Sequence, residues 1–78
     1  MSKVRFGIVG IGNQGTYYAN VLKENKIENG VLSALCDNNS SKLENAKNKF
    51  AEVENITYFN NYIEMLESGL CDAILVET

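Results

Sequence analysis

The sequence predicts an α/β fold, a doubly wound parallel sheet. Three observations predict it. Short apolar runs alternate with segments of helical periodicity, in the order β-α-β-α-β-α-β. The runs are apolar on both faces, as parallel strands covered by helices on each side must be. The first run also stops at a glycine cluster that opens a helical stretch. Right-handed crossovers then set the spatial strand order at 3-2-1-4.

The first strand is Val4 to Val9, Val-Arg-Phe-Gly-Ile-Val. Gly10, Gly12 and Gly15 come next, in the spacing G-x-G-x-x-G. Gly10 lets the chain turn sharply, and Gly12 lets a pyrophosphate approach the main chain. Gly15 lets the next helix pack closely on the strand. Asn13 to about Asn25 is that helix, with Gly15, Ala19 and Leu22 as its buried stripe and Tyr18 beside it. Asn25 to Gly30 is a polar loop.

Val31 to Asp37 is the second strand, and Asn38-Asn39-Ser40 is turn chemistry. Ser41 and Glu44 fit a capping box for the second helix, with Leu43, Ala46 and Phe50 as its core stripe. Its lysines and asparagines face water. Ile56 to Phe59 is a short third strand. Asn61, with Glu64 three residues on, starts a third helix. Tyr62, Ile63, Leu66 and Leu70 supply its apolar face, and Gly69 its stop. Ala73 to Val76 is the fourth strand. A chain that stops just beyond it, at Thr78, leaves an apolar unpaired edge. The expectation is therefore the N-terminal part, residues 1–78, of a longer cofactor-binding domain, with any substrate domain outside this chain.

The glycine pattern alone is a weak signal. It gains force because a strand precedes it, a helix comes after it, and an acidic residue closes the next strand about 20 residues on. That residue is Asp37. A carboxylate there accepts hydrogen bonds from adenosine ribose hydroxyls and repels the 2′-phosphate of NADP. No arginine stands just after it to hold such a phosphate, so NAD is favoured over NADP. The expected cofactor site is Gly10, Ile11, Gly12, Asn13, Gln14 and Gly15 on the loop, with Asp37. Asn38 borders the adenine, and Thr78 lies on the nicotinamide side. The helix N-terminus, with its free N–H groups and positive dipole end, faces the phosphates. Tyr17 and Tyr18 read as packing residues rather than stacking platforms. Glu77 is either exposed or near the substrate.

Composition narrows the function. The 45% hydrophobic fraction is that of a folded, soluble chain. No apolar run approaches the roughly 18 residues of a membrane span, and the start does not read as a secretory signal. A net charge of −3 without a basic cluster argues against nucleic acid as the main partner. The chain has no histidine, which removes histidine acid–base chemistry from this stretch. Cys36 and Cys71 read as reduced, mostly buried thiols of a cytoplasmic protein, with no metal site.

Several stretches together resemble the N-terminus of the Gfo/Idh/MocA oxidoreductases, over all 78 residues. They are Gly-Ile-Val-Gly-Ile-Gly-Asn-Gln-Gly, Ala-Leu-Cys-Asp, Tyr-Phe-Asn-Asn-Tyr-Ile-Glu-Met-Leu and Cys-Asp-Ala-Ile-Leu-Val-Glu-Thr. The last two are the more particular to that family. The resemblance implies a two-domain NAD(P)-dependent dehydrogenase that acts on a sugar or cyclitol hydroxyl, transferring a hydride from the carbon that bears it. As a full-length protein it would be a homo-oligomer. The family's catalytic lysine motif, and the aspartate and histidine of its second domain, lie beyond Thr78. No residue here is assigned a catalytic role, and the 78 residues alone are expected to be inactive. Glu77 stands where the family commonly has a smaller residue.

Two other classes share parts of the pattern. A regulatory NAD-sensing module has the same strand, glycines and acidic residue. The two classes part beyond Thr78, where an enzyme carries its lysine motif or second domain and a sensor another regulatory module. A methyltransferase that uses S-adenosylmethionine has a glycine loop spaced G-x-G-x-G, which Gln14 breaks.

Overall fold

Four parallel strands form one sheet in the order β3-β2-β1-β4. The structure is a computed structural model and describes residues 3–24, 29–53 and 55–77. The elements are β1 (Val4–Val9), α1 (Asn13–Lys23), β2 (Gly30–Cys36), α2 (Ser40–Lys49), β3 (Thr57–Phe59), α3 (Tyr62–Glu67) and β4 (Ala73–Val76). The fold class and the strand order are those the sequence predicts.

The two faces of the sheet are covered unequally. Ile8 and Leu35 are fully buried on the face under α1 and α2, where they meet Ala19 and Leu22 of α1 and Leu43, Ala46 and Phe50 of α2. The predicted stripes of these two helices are therefore the observed ones, although Tyr18 stays exposed. The opposite face carries a smaller cluster, Ala34, Cys36 and Met65, with Val9, Phe59, Cys71 and Ile74 half-buried against it.

The pairing of β1 with β2 contains an irregularity the sequence does not announce. Phe6 pairs with Leu32, yet Gly7 pairs with Ala34, so Ser33 is the extra residue of a bulge. Strict alternation would put Leu32 and Leu35 on opposite faces. The bulge brings both into the core under α1 and α2. The Ser33 hydroxyl donates to the Leu70 carbonyl at 2.8 Å, which gives the displaced residue a partner.

Element ends differ from the sequence expectation in several places. α1 ends at Lys23, short of Asn25, which lies outside the described residues. β2 begins at Gly30 and ends at Cys36, leaving Asp37 just beyond the strand. The cap of α2 is Asn39, not Ser41: its extended backbone (ψ 114°) precedes the first helical residue, Ser40, and its side chain accepts the Lys42 N–H at 3.0 Å. β3 begins at Thr57 rather than Ile56. In α3 the buried residue is Met65, while Tyr62, Ile63 and Leu66 are half or more exposed. One short helix on an otherwise open face turns one side chain fully inward. Asn61 does cap α3, accepting from the Ile63 and Glu64 N–H groups, and Gly69 comes after it at φ 73°.

A carboxylate–guanidinium fork sets β4 beside β1 at the end of the sheet away from the glycine loop. Asp72 Oδ2 accepts from the Arg5 N–H and Nε–H, and Oδ1 accepts from Nη2 at 2.9 Å. The Asp72 N–H donates back to the Arg5 carbonyl at 2.7 Å. The Arg5 fork holds the Asp72 carboxyl at a pKa of about 2, well below its ordinary value. Among the described residues no helix is long and apolar enough to cross a membrane.

Candidate functional site

Every predicted site residue that the structure describes lies at the carboxyl end of β1 or β2. In an open parallel sheet, ligands bind there. The β1–α1 turn is fixed at three points. The Gly10 N–H donates to the Cys36 carbonyl at 2.8 Å, which continues the strand pairing by one residue. Gly10 has φ 96°, a conformation that L side chains rarely adopt. A Cβ on Gly15 would collide with the Gly10 carbonyl oxygen, so only glycine lets α1 start this close to the turn.

Gly12 has the opposite surroundings. A Cβ built there meets nothing within 4 Å, so the space in front of the turn is open. Gly12 is the N-cap residue of α1 and supplies no side-chain cap, and the first turn has no acidic residue. The backbone N–H groups at the start of α1 can therefore take an outside acceptor. A pyrophosphate fits this donor set and this gap. For Asn13 and Gln14 the structure describes only the backbone, as the first two residues of α1. Thr78 lies outside the described residues.

Ile11 turns inward. Its side chain joins the core, 7% exposed, and its N–H donates to Asp37 Oδ2 at 2.9 Å. Asp37 is the one buried polar or charged residue among those described, 8% exposed. Its Oδ1 accepts the Asn39 N–H at 2.8 Å, and its own N–H donates to the Phe59 carbonyl at 3.2 Å. Asp37 thus stands between the glycine turn and the β2–α2 turn, as the 20-residue spacing implies.

A trough of about 700 Å³ opens beside Asp37. It runs between the ends of β1, β2 and β4 and the start of α3, and its walls are mainly apolar. Gly10, Asp37 and Asn38 border it on one side, Tyr62, Ile63 and Leu66 on the other. Asn38 is where the sequence places a neighbour of adenine. The contribution of α3 is the part that sequence reasoning missed. Its residues read as core, and the only signal against that was the helix's short length. Cys36 also lines the trough, but burial, and secondarily the charge of Asp37, push its thiol pKa up. Burial raises the Cys71 thiol as well. Both cysteines are free, and burial favours the thiol over the thiolate at each. The Glu77 N–H donates to the Val9 carbonyl at 2.8 Å, extending the β1–β4 pairing. Tyr17 and Tyr18 are exposed and meet each other edge to face at 5.4 Å, away from any core role.

Fold and site together define a dinucleotide-binding Rossmann unit. Residues 4–78 match the oxidoreductase family with an NAD-binding Rossmann fold, Gfo/Idh/MocA. The chain belongs to that family and is its NAD-binding Rossmann part.

Solved structures agree. The WlbA dehydrogenase of Bordetella pertussis, in complex with NADH and UDP-GlcNAcA, superposes with a TM-score of 0.81 at 26% identity. The match covers 97% of this chain and 22% of that one. The scyllo-inositol dehydrogenase of Lactobacillus casei, with NAD(H) and scyllo-inositol, gives 0.80 at 25% identity, over 99% and 22%. The myo-inositol 2-dehydrogenase of Lactobacillus plantarum gives 0.78 at 32% identity, over 99% and 22%. The chain thus spans about a fifth of the length of these relatives. No curated protein matches it by sequence.

Proposed function

We propose that the chain is the cofactor-binding part of an NAD-dependent dehydrogenase that oxidises a hydroxyl of a sugar, cyclitol or related compound. The observation that carries the cofactor preference is Asp37, buried at the end of β2 beside the glycine turn, with no arginine just after it. A carboxylate at that point favours two ribose hydroxyls and disfavours a phosphate. The substrate class rests on the family and on the compounds bound by its solved members. Neither the family description nor these relatives names a regulatory module.

The residues of this chain bind and orient. The first turn of α1 holds the pyrophosphate through backbone N–H groups. Gly12 keeps the approach open, and Asp37 accepts from the ribose. The trough between Asn38 and Tyr62 receives the adenine. NAD, when bound, supplies the hydride acceptor. The groups that hold the substrate and move its proton belong to the lysine motif and the second domain that such a dehydrogenase carries. We place the cofactor unit at residues 1–78 and the intact enzyme among homo-oligomers.

The test is a titration of the intact protein and of Asp37→Ser with NAD and NADP. A hydrogen bond to a charged group contributes roughly 1.5–3 kcal/mol, about ten-fold or more in affinity. NAD binding is expected to weaken by that factor, and the preference over NADP to narrow. Equal affinities for both cofactors before and after substitution would remove Asp37 from the site.

A further inference from the structure

We infer that Asp37 is also a positioning residue: its carboxylate holds the glycine turn in its phosphate-binding shape before any cofactor arrives. This rests on the cofactor reading above and goes beyond it, because the proposed ribose contact needs only that the carboxylate be present. Both Asp37 oxygens are already engaged by main-chain donors. Oδ2 takes the N–H of Ile11, 26 residues away in sequence, and Oδ1 takes the N–H of Asn39. Among the described residues the carboxylate has no lysine or arginine partner, so these two N–H groups are what satisfies a buried charge. Hydrogen bonds to an ionised acceptor are roughly twice as strong as neutral ones.

The Ile11 bond lies where the turn would otherwise be free. Gly10 is the last residue paired to β2, and Gly12 is the cap of α1. Only Ile11 stands between them. Its side chain is anchored in the core and its N–H on Asp37, so its peptide plane is fixed from both sides. That plane sets the direction in which Gly12 and the first turn of α1 present their N–H groups. Each carboxylate oxygen keeps a second lone-pair direction. Asp37 can therefore hold the turn and accept from ribose hydroxyls at once. One group then couples the phosphate end of the site to the ribose end.

The coupling predicts an effect whose sign differs from the electrostatic one. The probe is 2′,3′-dideoxyadenosine 5′-diphosphate, which has the adenine and the phosphates but no ribose hydroxyls for Asp37 to bind. If Asp37 served only the ribose, Asp37→Ala would leave binding of this probe unchanged. It could also tighten it, since a negative charge near the phosphates is gone. If Asp37 holds the turn, the probe binds about five-fold more weakly.

Calorimetric titration of the intact protein and of Asp37→Ala with NAD and with the probe gives the comparison. Amide hydrogen exchange at Ile11, without ligand, gives a second readout. Protection at Ile11 in the wild type, lost in the variant together with probe affinity, is the expected result. Unchanged or tighter probe binding overturns the inference even where NAD binding falls. Fast exchange at Ile11 in the wild type also overturns it, without any variant needing to fold. A wild type that binds neither NAD nor the probe overturns the cofactor reading instead, and the exchange at Ile11 still decides whether Asp37 holds the turn.

Discussion

The two faces of this sheet are built from the same four strands, yet they are covered very differently. Among the described residues, nine buried ones form the cluster that joins α1 and α2 to the sheet, from Ile8 and Leu35 on the strands to Phe50 just past α2. Under α3 lie three, Ala34, Cys36 and Met65. The first face has two helices of 11 and 10 residues, the second one of 6. The difference separates two jobs. The deeply packed face fixes the start of α1 against β1, and so fixes the glycine turn. The shallow face leaves Tyr62, Ile63 and Leu66 free to line the trough beside Asp37. In this chain the turn that carries the backbone donors is held from the deeply packed face, and the apolar trough lies on the shallow one.

The most direct way to break this comparison is to empty each face in turn. Phe50 is 1% exposed and packs in the larger cluster, so Phe50→Ala is expected to cost about 3–5 kcal/mol. Met65 is equally buried, but half-buried neighbours surround it and can collapse into the space. Met65→Ala is expected at the low end of its class, about 2 kcal/mol. Urea unfolding of the intact protein measures both. Equal costs would mean that further polypeptide covers the α3 face as tightly as α1 and α2 cover the other.

Two glycines sharpen the same contrast with a smaller effect. A Cβ on Gly15 runs into backbone, the Gly10 carbonyl, which cannot step aside without moving the turn. Gly15→Ala is expected to cost about 1–3 kcal/mol and to abolish cofactor binding. A Cβ on Gly7, on the shallow face, meets the methyl end of Met65 and the Cys71 sulfur at 2.6 Å. The Met65 tip is the far end of a flexible side chain and can shift, and the half-buried Cys71 sulfur must give with it. Gly7→Ala is expected to cost about 1 kcal/mol and to leave NAD affinity unchanged. Thermal unfolding with a cofactor titration separates the two. A Gly7 variant that loses NAD binding would show that both faces, not one, hold the turn.

Much of this was legible in the sequence, and the exceptions have physical causes. The glycine spacing, the distance to Asp37 and the apolar runs each report a local requirement, so fold class, strand order and loop were readable. The Ser33 bulge was not, because Val-Leu-Ser-Ala-Leu reads equally well as an unbroken strand. Its register depends on where Phe6 and Ile8 must sit. The Asn39 cap lost to Ser41 for a related reason: both residues can cap, and only the backbone path out of β2 chooses between them. The face of α3 was misread because periodicity marks which residues could be buried, while burial needs something to pack against. The bonds of Asp37 to Ile11 and Asn39 join its side chain to main-chain groups, one of them far away in sequence, and composition carries no trace of them.

The smallest expected effect concerns the far end of β1, where the Arg5–Asp72 fork holds β4 in register. Both side chains are more than two-fifths exposed, so solvent and salt screen the pair. Its contribution depends on pH in one direction. Asp72 is held at about 2 in the folded chain, against an ordinary value of 3.8. The charged form is therefore favoured by folding, and the stability it adds is fully present above about pH 4. It is lost as pH falls from there to about 2, when the folded carboxyl itself takes a proton. Asp72→Asn should remove that part of the acid dependence and leave the curve near pH 7 only slightly lowered, because the amide oxygen can still accept from Arg5. The shallow face is the one to watch: Ile74 and Cys71 flank this end of β4, and a loosened register there exposes them before the larger cluster. Hydrogen exchange of β4 amides, followed from pH 6 to about pH 3 in wild type and variant, reads this directly. Faster exchange in wild-type β4 than in β2 as the pH drops is expected. A uniform loss of protection in all four strands, relative to the intrinsic rate at each pH, would mean that the fork stabilises the whole sheet rather than its β4 edge.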